Sequence, residues 1–274
     1  MSSQHMSQLE VVGKVFDEMA ELIEIQGGSI HVGYWYSDDD KAPLLEAINQ
    51  CTDVVGEKLG LKPDERLLDV GCGAAVPAIR LGQRTDAVIT GITNSEWQVG
   101  EATKRIKAAG MREQIHVEYG DAAALPYKDE SFDAVLAFQS LQHAEDRGQW
   151  LAEMARVLRP GGRLLVVDFI EEVPLTGEEA EILRSNAMEV PLPEADVVGG
   201  VRASGLEVDD VVTCGDRIRR SYPAYFERLA RIRPGLVATL GEEKVDNQEQ
   251  AMRQLLPIYR DKIGYVIVTG RKPR

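Results

Sequence analysis

Leu67-Leu68-Asp69-Val70-Gly71-Cys72-Gly73 carries an apolar run through a carboxylate into a Gly-x-Gly turn, with a helix expected from Pro77. Glycines let backbone adopt positive φ and pass close to a ligand. The helix N-terminus behind them offers free N–H groups to an anionic group. A Gly-x-Gly turn alone also serves as a plain tight turn, so its surroundings matter. In dinucleotide enzymes the informative acid follows about 20 residues later. Here that position reads Gly91-Ile92-Thr93-Asn94-Ser95, and the acid, Asp69, precedes the glycines. The second chemical resource is histidine, the side chain that most readily moves a proton near neutral pH. The chain has four: His5, His31, His116 and His143. His143 follows the expected fourth strand at its C-terminal end, where sites of open α/β sheets sit. It is the candidate general base, or else a partner for a loop backbone group. Asp168 closes the expected fifth strand on the same edge. It could orient His143, bind a substrate or cap a turn. His31 lies in the aromatic patch Ser29–Tyr36 and could fold over the pocket or simply pack.

These residues need a scaffold, and the apolar pattern supplies one. The spacing predicts a helix after Ser7, stopped by Gly27-Gly28, and a second from Pro43 to about Leu59. Strands are expected at Arg66–Val70, Ala87–Ile92, Ile115–Tyr119, Phe132–Phe138, Arg163–Phe169, Leu206–Val212 and Gly264–Thr269. Helices alternate with the first five, with Ser95 and Gln98 spaced as a capping box and Arg159-Pro160-Gly161-Gly162 ending the helix from Arg147. This alternation predicts a Rossmann-like, doubly wound α/β fold with a seven-stranded sheet, its last strand antiparallel. The additional helical stretches Glu178–Met188 and Arg219–Lys262 are expected to form a lid over the ligand crevice. The chain reads as one domain. Residues 1–41 form an N-terminal helix and aromatic cover, 42–173 a cofactor-binding core, 174–192 and 219–262 the lid, and 193–218 with 263–274 the rest of the core.

Composition narrows the partners. Of 274 residues, 31 are Lys or Arg and 45 Asp or Glu, a formal charge of −14. That opposes a general nucleic-acid binder, whose affinity comes from clustered cations. No apolar run approaches the roughly 20 residues of a membrane span. The N-terminus lacks a signal-peptide pattern, so a cytoplasmic protein is expected. The three cysteines, Cys51, Cys72 and Cys214, form neither a disulfide framework nor a zinc motif. No acidic or histidine cluster has metal-ligand spacing, and Asp38-Asp39-Asp40 reads as a solvated turn.

Five pieces, in order, resemble the class I S-adenosylmethionine (SAM)-dependent methyltransferases. They are Leu68-Asp69-Val70-Gly71-Cys72-Gly73; Thr90-Gly91-Ile92-Thr93-Asn94-Ser95; Gly120-Asp121-Ala122 with Leu125-Pro126-Tyr127; Ser131-Phe132-Asp133-Ala134-Val135; and Arg156-Val157-Leu158-Arg159-Pro160-Gly161-Gly162. More narrowly, Ile30-His31-Val32-Gly33-Tyr34-Trp35, Gln142-His143-Ala144-Glu145-Asp146-Arg147-Gly148 and Val167-Asp168-Phe169 resemble small-molecule methyltransferases of bacterial secondary metabolism, such as the rebeccamycin-type sugar O-methyltransferases. Sterol, tocopherol and prenyl C-methyltransferases share part of that pattern. The resemblance implies SAM as cofactor, S-adenosylhomocysteine (SAH) as product and a small-molecule acceptor; a monomer or a homodimer is expected, with nothing in the sequence deciding between them. It places Asp69 near the methionine end, with Gly71 and Gly73 letting backbone approach. Thr93, with Gln98 as a second candidate, would meet the ribose hydroxyls. Asp121 would accept from the adenine amino group with Ala122 beside it, and Gln139 would border the methionine. Tyr34 and Trp35 could form an aromatic lid with cation–π attraction to the sulfonium, or fasten the N-terminal segment to the sheet.

Methyl transfer is an in-line displacement, helped by alignment and, for an alcohol or phenol, by a base. O-methylation with His143 as base is therefore the leading expectation, with N- or C-methylation open. The rival expectations are cyclisation or rearrangement on the same fold and a non-catalytic binding module. Two departures from the family pattern bear on this. Ala75 stands where a third glycine is expected, and Gln142 stands where a His-His pair is expected.

Overall fold

The computed structural model describes residues 31–186 and 188–274; the helix expected from Ser7 lies outside them. The chain order is α1 (Leu44–Leu59), β1 (Arg66–Val70), α2 (Val76–Arg84), β2 (Val88–Thr93), α3 (Glu96–Ala108), β3 (Ile115–Tyr119) and β4 (Phe132–Phe138). A 3-10 turn (Leu141–His143) follows, then α4 (Arg147–Val157), β5 (Leu158–Glu171), α5 (Gly177–Ser185), β6 (Leu192–Pro193) and α6 (Glu194–Ala203). The chain closes with β7 (Glu207–Thr213), α7 (Gly215–Ile218), α8 (Ser221–Leu240), α9 (Glu242–Asp261) and β8 (Ile263–Arg271).

The strands align in the order β3-β2-β1-β4-β5-β8-β7. The pairings from β3 to β5 are parallel, and β8 runs antiparallel between β5 and β7. The order reverses between β1 and β4, so the crevice at their C-terminal ends is the natural ligand site. Side chains of the central strands alternate between two cores. Leu67, Leu136, Phe138, Val167 and Phe169 enter one, and Leu68, Val70, Val135, Ala137 and Val166 the other. A sheet covered on both faces explains the nearly continuous apolar strands.

Three expectations are corrected in detail. The sheet has eight strands rather than seven, because Leu192–Pro193 adds to Ile170 and Glu171. Pro160-Gly161-Gly162 does not leave the sheet: β5 already begins at Leu158, and the irregular stretch pairs with the chain's C-terminus, Gly161 N–H donating to Lys272 O and Lys272 N–H to Gly162 O. The helix expected to Met188 stops at Ser185, started by a full capping box between Thr176 and Glu179. The 219–262 stretch is mostly helical as expected, as two helices divided at Gly241, whose φ of 85° breaks the run. No helix among the described residues is long and apolar enough to cross a membrane.

The turn after β1 is the tightest point. Gly71 has φ 78°, and a Cβ there would lie 2.4 Å from Ser140 Cβ. Gly71→Ala is expected to cost about 2–4 kcal/mol, from a left-handed Cβ and overpacking together. Urea unfolding checks this, and an unchanged midpoint would show that the turn yields. Ala75, the missing third glycine, is accommodated at φ 61° as the residue before α2, with its methyl fully buried. Its left-handed backbone costs about 1–2 kcal/mol, which burial of the methyl partly offsets.

Candidate active site

The half of the crevice that the resemblance assigns to the cofactor is built on the ends of β1, β2 and β3. Asp69 pairs with Gly91 on one side and Leu136 on the other, so it stands where the strand order reverses. It is 2% exposed, and burial alone pushes its carboxyl up to about 7. A buried carboxyl that no cation among the described residues holds down is a ready partner for a cationic ligand. The turn after it is fixed by Gly71 and Cys72 N–H donating to Ile92 O and by the Ser140 hydroxyl donating to Val70 O at 2.6 Å. Ser95 caps α3 by accepting from Gln98 N–H. The Gln98 side chain does not complete the box but accepts from the Thr93 hydroxyl instead. A Cβ on Gly73 would lie 4.0 Å from Gln98 Nε2, so Gly73, Thr93 and Gln98 sit together. Gly120 N–H donates to Thr93 O, tying on the next loop, where Asp121 Oδ1 accepts from Ala123 N–H. Ala122 is buried in the core below.

The other half lies on the ends of β4, β5 and β8. Gln139 has φ 53°, a left-handed conformation held by its N–H to Val167 O at 2.7 Å. Such strain in a non-glycine residue concentrates at functional sites. Its side chain donates from Nε2 to Tyr265 Oη at 2.6 Å. Tyr265 is a residue that sequence reasoning missed. The visible signal was an aromatic in an expected strand, and only the register Phe169↔Tyr265 brings it here. Asp168 is 4% exposed, and burial pushes its carboxyl up to about 7 despite donors from Phe169 and Gln142 N–H and the Arg147 charge. Its Oδ2 accepts from Gln142 N–H at 2.9 Å, so it caps the turn that carries His143. Burial, then the Arg147 charge, lowers the His143 imidazole to about 4. His143 is therefore neutral at physiological pH.

The segment 31–40 straps this end. Burial likewise lowers His31 to about 4, and its ring lies 4.2 Å from that of Phe138, the last residue of β4. Its carbonyl accepts from the Tyr225 hydroxyl at 2.7 Å. Gly33 N–H donates to Ser221 Oγ, and Arg220 donates to Asp40 O. The strap is thus bound to the start of α8. Tyr34 N–H donates to Ala47 O and its ring meets the Tyr36 ring edge-on at 5.7 Å. Trp35 is buried with Leu44, Ala47 and Ile48. Its indole N–H donates to Ala42 O, and Arg220 lies 4.7 Å over its ring. Asp40 caps its own turn, accepting from Tyr36 and Ala42 N–H.

Comparison with known proteins decides the family. The model of a methyltransferase domain matches residues 68–166. A 27-O-demethylrifamycin SV methyltransferase of Amycolatopsis mediterranei is 36% identical over 96% of this chain and 97% of its own. The chain belongs to the class I SAM-dependent methyltransferases. Methyltransferase GfsG of Streptomyces halstedii is 32% identical, over 96% of this methyltransferase and 94% of the relative. Among solved structures, the [4+2]-cyclase SpnF superposes with a TM-score of 0.85 at 32% identity, covering 96% of this chain and 95% of that one. The donor set fits SAM. A buried carboxyl with no cation among the described residues beside it suits the methionine ammonium, the Thr93–Gln98 pair a diol, and the Asp121 turn an exocyclic amine.

Proposed function

We propose that this methyltransferase methylates a hydroxyl on a small natural-product acceptor, with His143 as general base. What supports the reading is the place of His143, on a turn that Asp168 caps just past the C-terminal end of β4, where sites of this fold sit. Asp69, Gly71, Gly73, Thr93, Gln98, Asp121 and Ala122 would hold the cofactor, with Gln139 at its methionine end. Bound SAM supplies an electrophilic methyl carbon on a sulfonium. His143 takes the acceptor proton as the oxygen becomes nucleophilic, and its neutrality avoids repelling the sulfonium. Asp168 acts through the turn backbone as a positioning residue. His31 and Tyr34 close the strap over the acceptor end. Trp35 has its N–H and one ring face already engaged, so we assign it to fastening the strap.

Calorimetric titration with SAM and SAH, then mass spectrometry of acceptors incubated with SAM, tests this reading. Micromolar binding of both and an acceptor heavier by one methylene are expected. Absence of binding would remove the cofactor site. Methylation at nitrogen or carbon would keep the cofactor site and displace His143 as base for a hydroxyl. The likeness to SpnF favours one second reading, cyclisation without methyl transfer. Acceptor isomerised at constant mass, with no SAH formed, would establish it.

A further inference from the structure

Aromatic side chains from four elements form a continuous wall beginning at the reacting edge. Tyr265 on β8 lies 5.5 Å from Phe169 on β5, ring centre to ring centre. Phe169 lies 5.7 Å from Tyr259 on α9, and Tyr259 5.1 Å from Tyr222 on α8. Tyr265 accepts from Gln139, the residue after β4, so the wall starts at the crevice edge where β4 ends. Two of the hydroxyls near it have partners. Tyr265 Oη accepts from Gln139, and Tyr225 Oη donates to His31 O. Tyr222 Oη is buried and has no hydrogen-bond partner among the described residues. Tyr222 itself is 8% exposed.

A buried hydroxyl without a partner lowers stability, and native structures rarely keep one without a role. Phenylalanine would fill the same space at no such cost. Burial also holds the phenol far above its ordinary range, so it stays a neutral donor. Resting on the methyltransferase reading of this crevice, we propose that Tyr222 donates a hydrogen bond to an oxygen of the acceptor. The acceptor class follows from the wall: a flat, conjugated or aromatic scaffold carrying oxygen, stacked against Phe169 and Tyr259. Aromatic faces favour such partners, and a placed polar group gives orientation. Because Tyr222 follows Ser221, which holds the strap at Gly33, the same helical turn would bind the acceptor and fasten its cover.

The test is equilibrium dialysis of the whole protein against 2-naphthol and against naphthalene, each with and without SAH. The wild type is expected to prefer 2-naphthol about tenfold, the worth of one buried hydrogen bond. Tyr222→Phe should abolish that preference, leave SAH binding unchanged and melt at the same temperature or higher. Tyr259→Phe, which removes a different hydroxyl from the same wall, should keep the preference. The proposal fails if the wild type binds neither probe or prefers neither, if Tyr222→Phe retains the preference, or if that variant melts several degrees lower. Loss of SAH binding in the wild type would instead overturn the cofactor reading, while the SAH-free dialysis still decides the role of Tyr222.

Discussion

Asp69→Asn is expected to weaken SAH binding by about a hundredfold at pH 8 while raising the melting temperature of the ligand-free protein. Both effects come from one buried carboxyl. Its ordinary value of 3.8 is pushed up to about 7 by burial. Because the folded value is raised, the protonated form stabilises the fold. That stability is complete below 3.8 and is lost as pH rises through about 7. Such a displacement carries on the order of 4 kcal/mol between the two protonation states. At pH 8 the ligand-free protein therefore holds an unfavourable buried charge, which asparagine removes. A bound ammonium compensates that charge, and truncating one partner of a buried charge pair costs about 2–5 kcal/mol. Wild-type affinity for SAH should accordingly fall below pH 7 and level off above it. Calorimetry and thermal unfolding from pH 5 to 9 check both halves. Equal SAH affinity in the two proteins would remove Asp69 from the methionine end. A variant that binds poorly and also melts lower at pH 8 would mean that the carboxylate supports the fold.

His143→Ala is expected to lower kcat by about 10²–10⁴-fold, the usual contribution of a positioned base, with SAH affinity unchanged. The pH profile separates this role from a packing role. Burial holds the imidazole at about 4, so its protonation should reduce the rate only near that pH. A limb near 7 would belong to Asp69 or Asp168, both held there by burial, and should survive in the variant's residual activity. Loss of the limb near 7 in His143→Ala would assign it to the imidazole and contradict the neutral state. A kcat within a fewfold of wild type would transfer the base role elsewhere or show that the acceptor needs none.

Much of the crevice around Asp69 is legible in the amino-acid sequence. The alternation of apolar runs with helical spacing specifies a doubly wound sheet, because each strand must bury both faces and each helix one. The position of Asp69 ahead of Gly71 and Gly73, with no acid at Gly91-Ile92-Thr93-Asn94-Ser95, separates this crevice from a dinucleotide site, because backbone clearance and charge are local properties. The Ser95 cap is likewise a local signal. Local signals do not fix the partner of the Gln98 side chain, which leaves its box for Thr93. Nor do they show that Pro160-Gly161-Gly162 stays in the sheet, because that depends on pairing with Lys272 at the far end of the chain.

The part of the crevice around Gln139 and His143 depends most on tertiary structure. The sequence leaves Asp168 between orienting, binding and capping, and the fold makes it the cap of the His143 turn. Gln139 and Tyr265 are joined only by the antiparallel register of β8 against β5. The sequence leaves Trp35 between lid and fastener, and Arg220, 185 positions later in the chain, occupies its face. Spacing along one helix or strand is written in the sequence, because backbone geometry repeats. Which side chain from a distant element completes a site is decided by packing, because long-range contacts have no period to read.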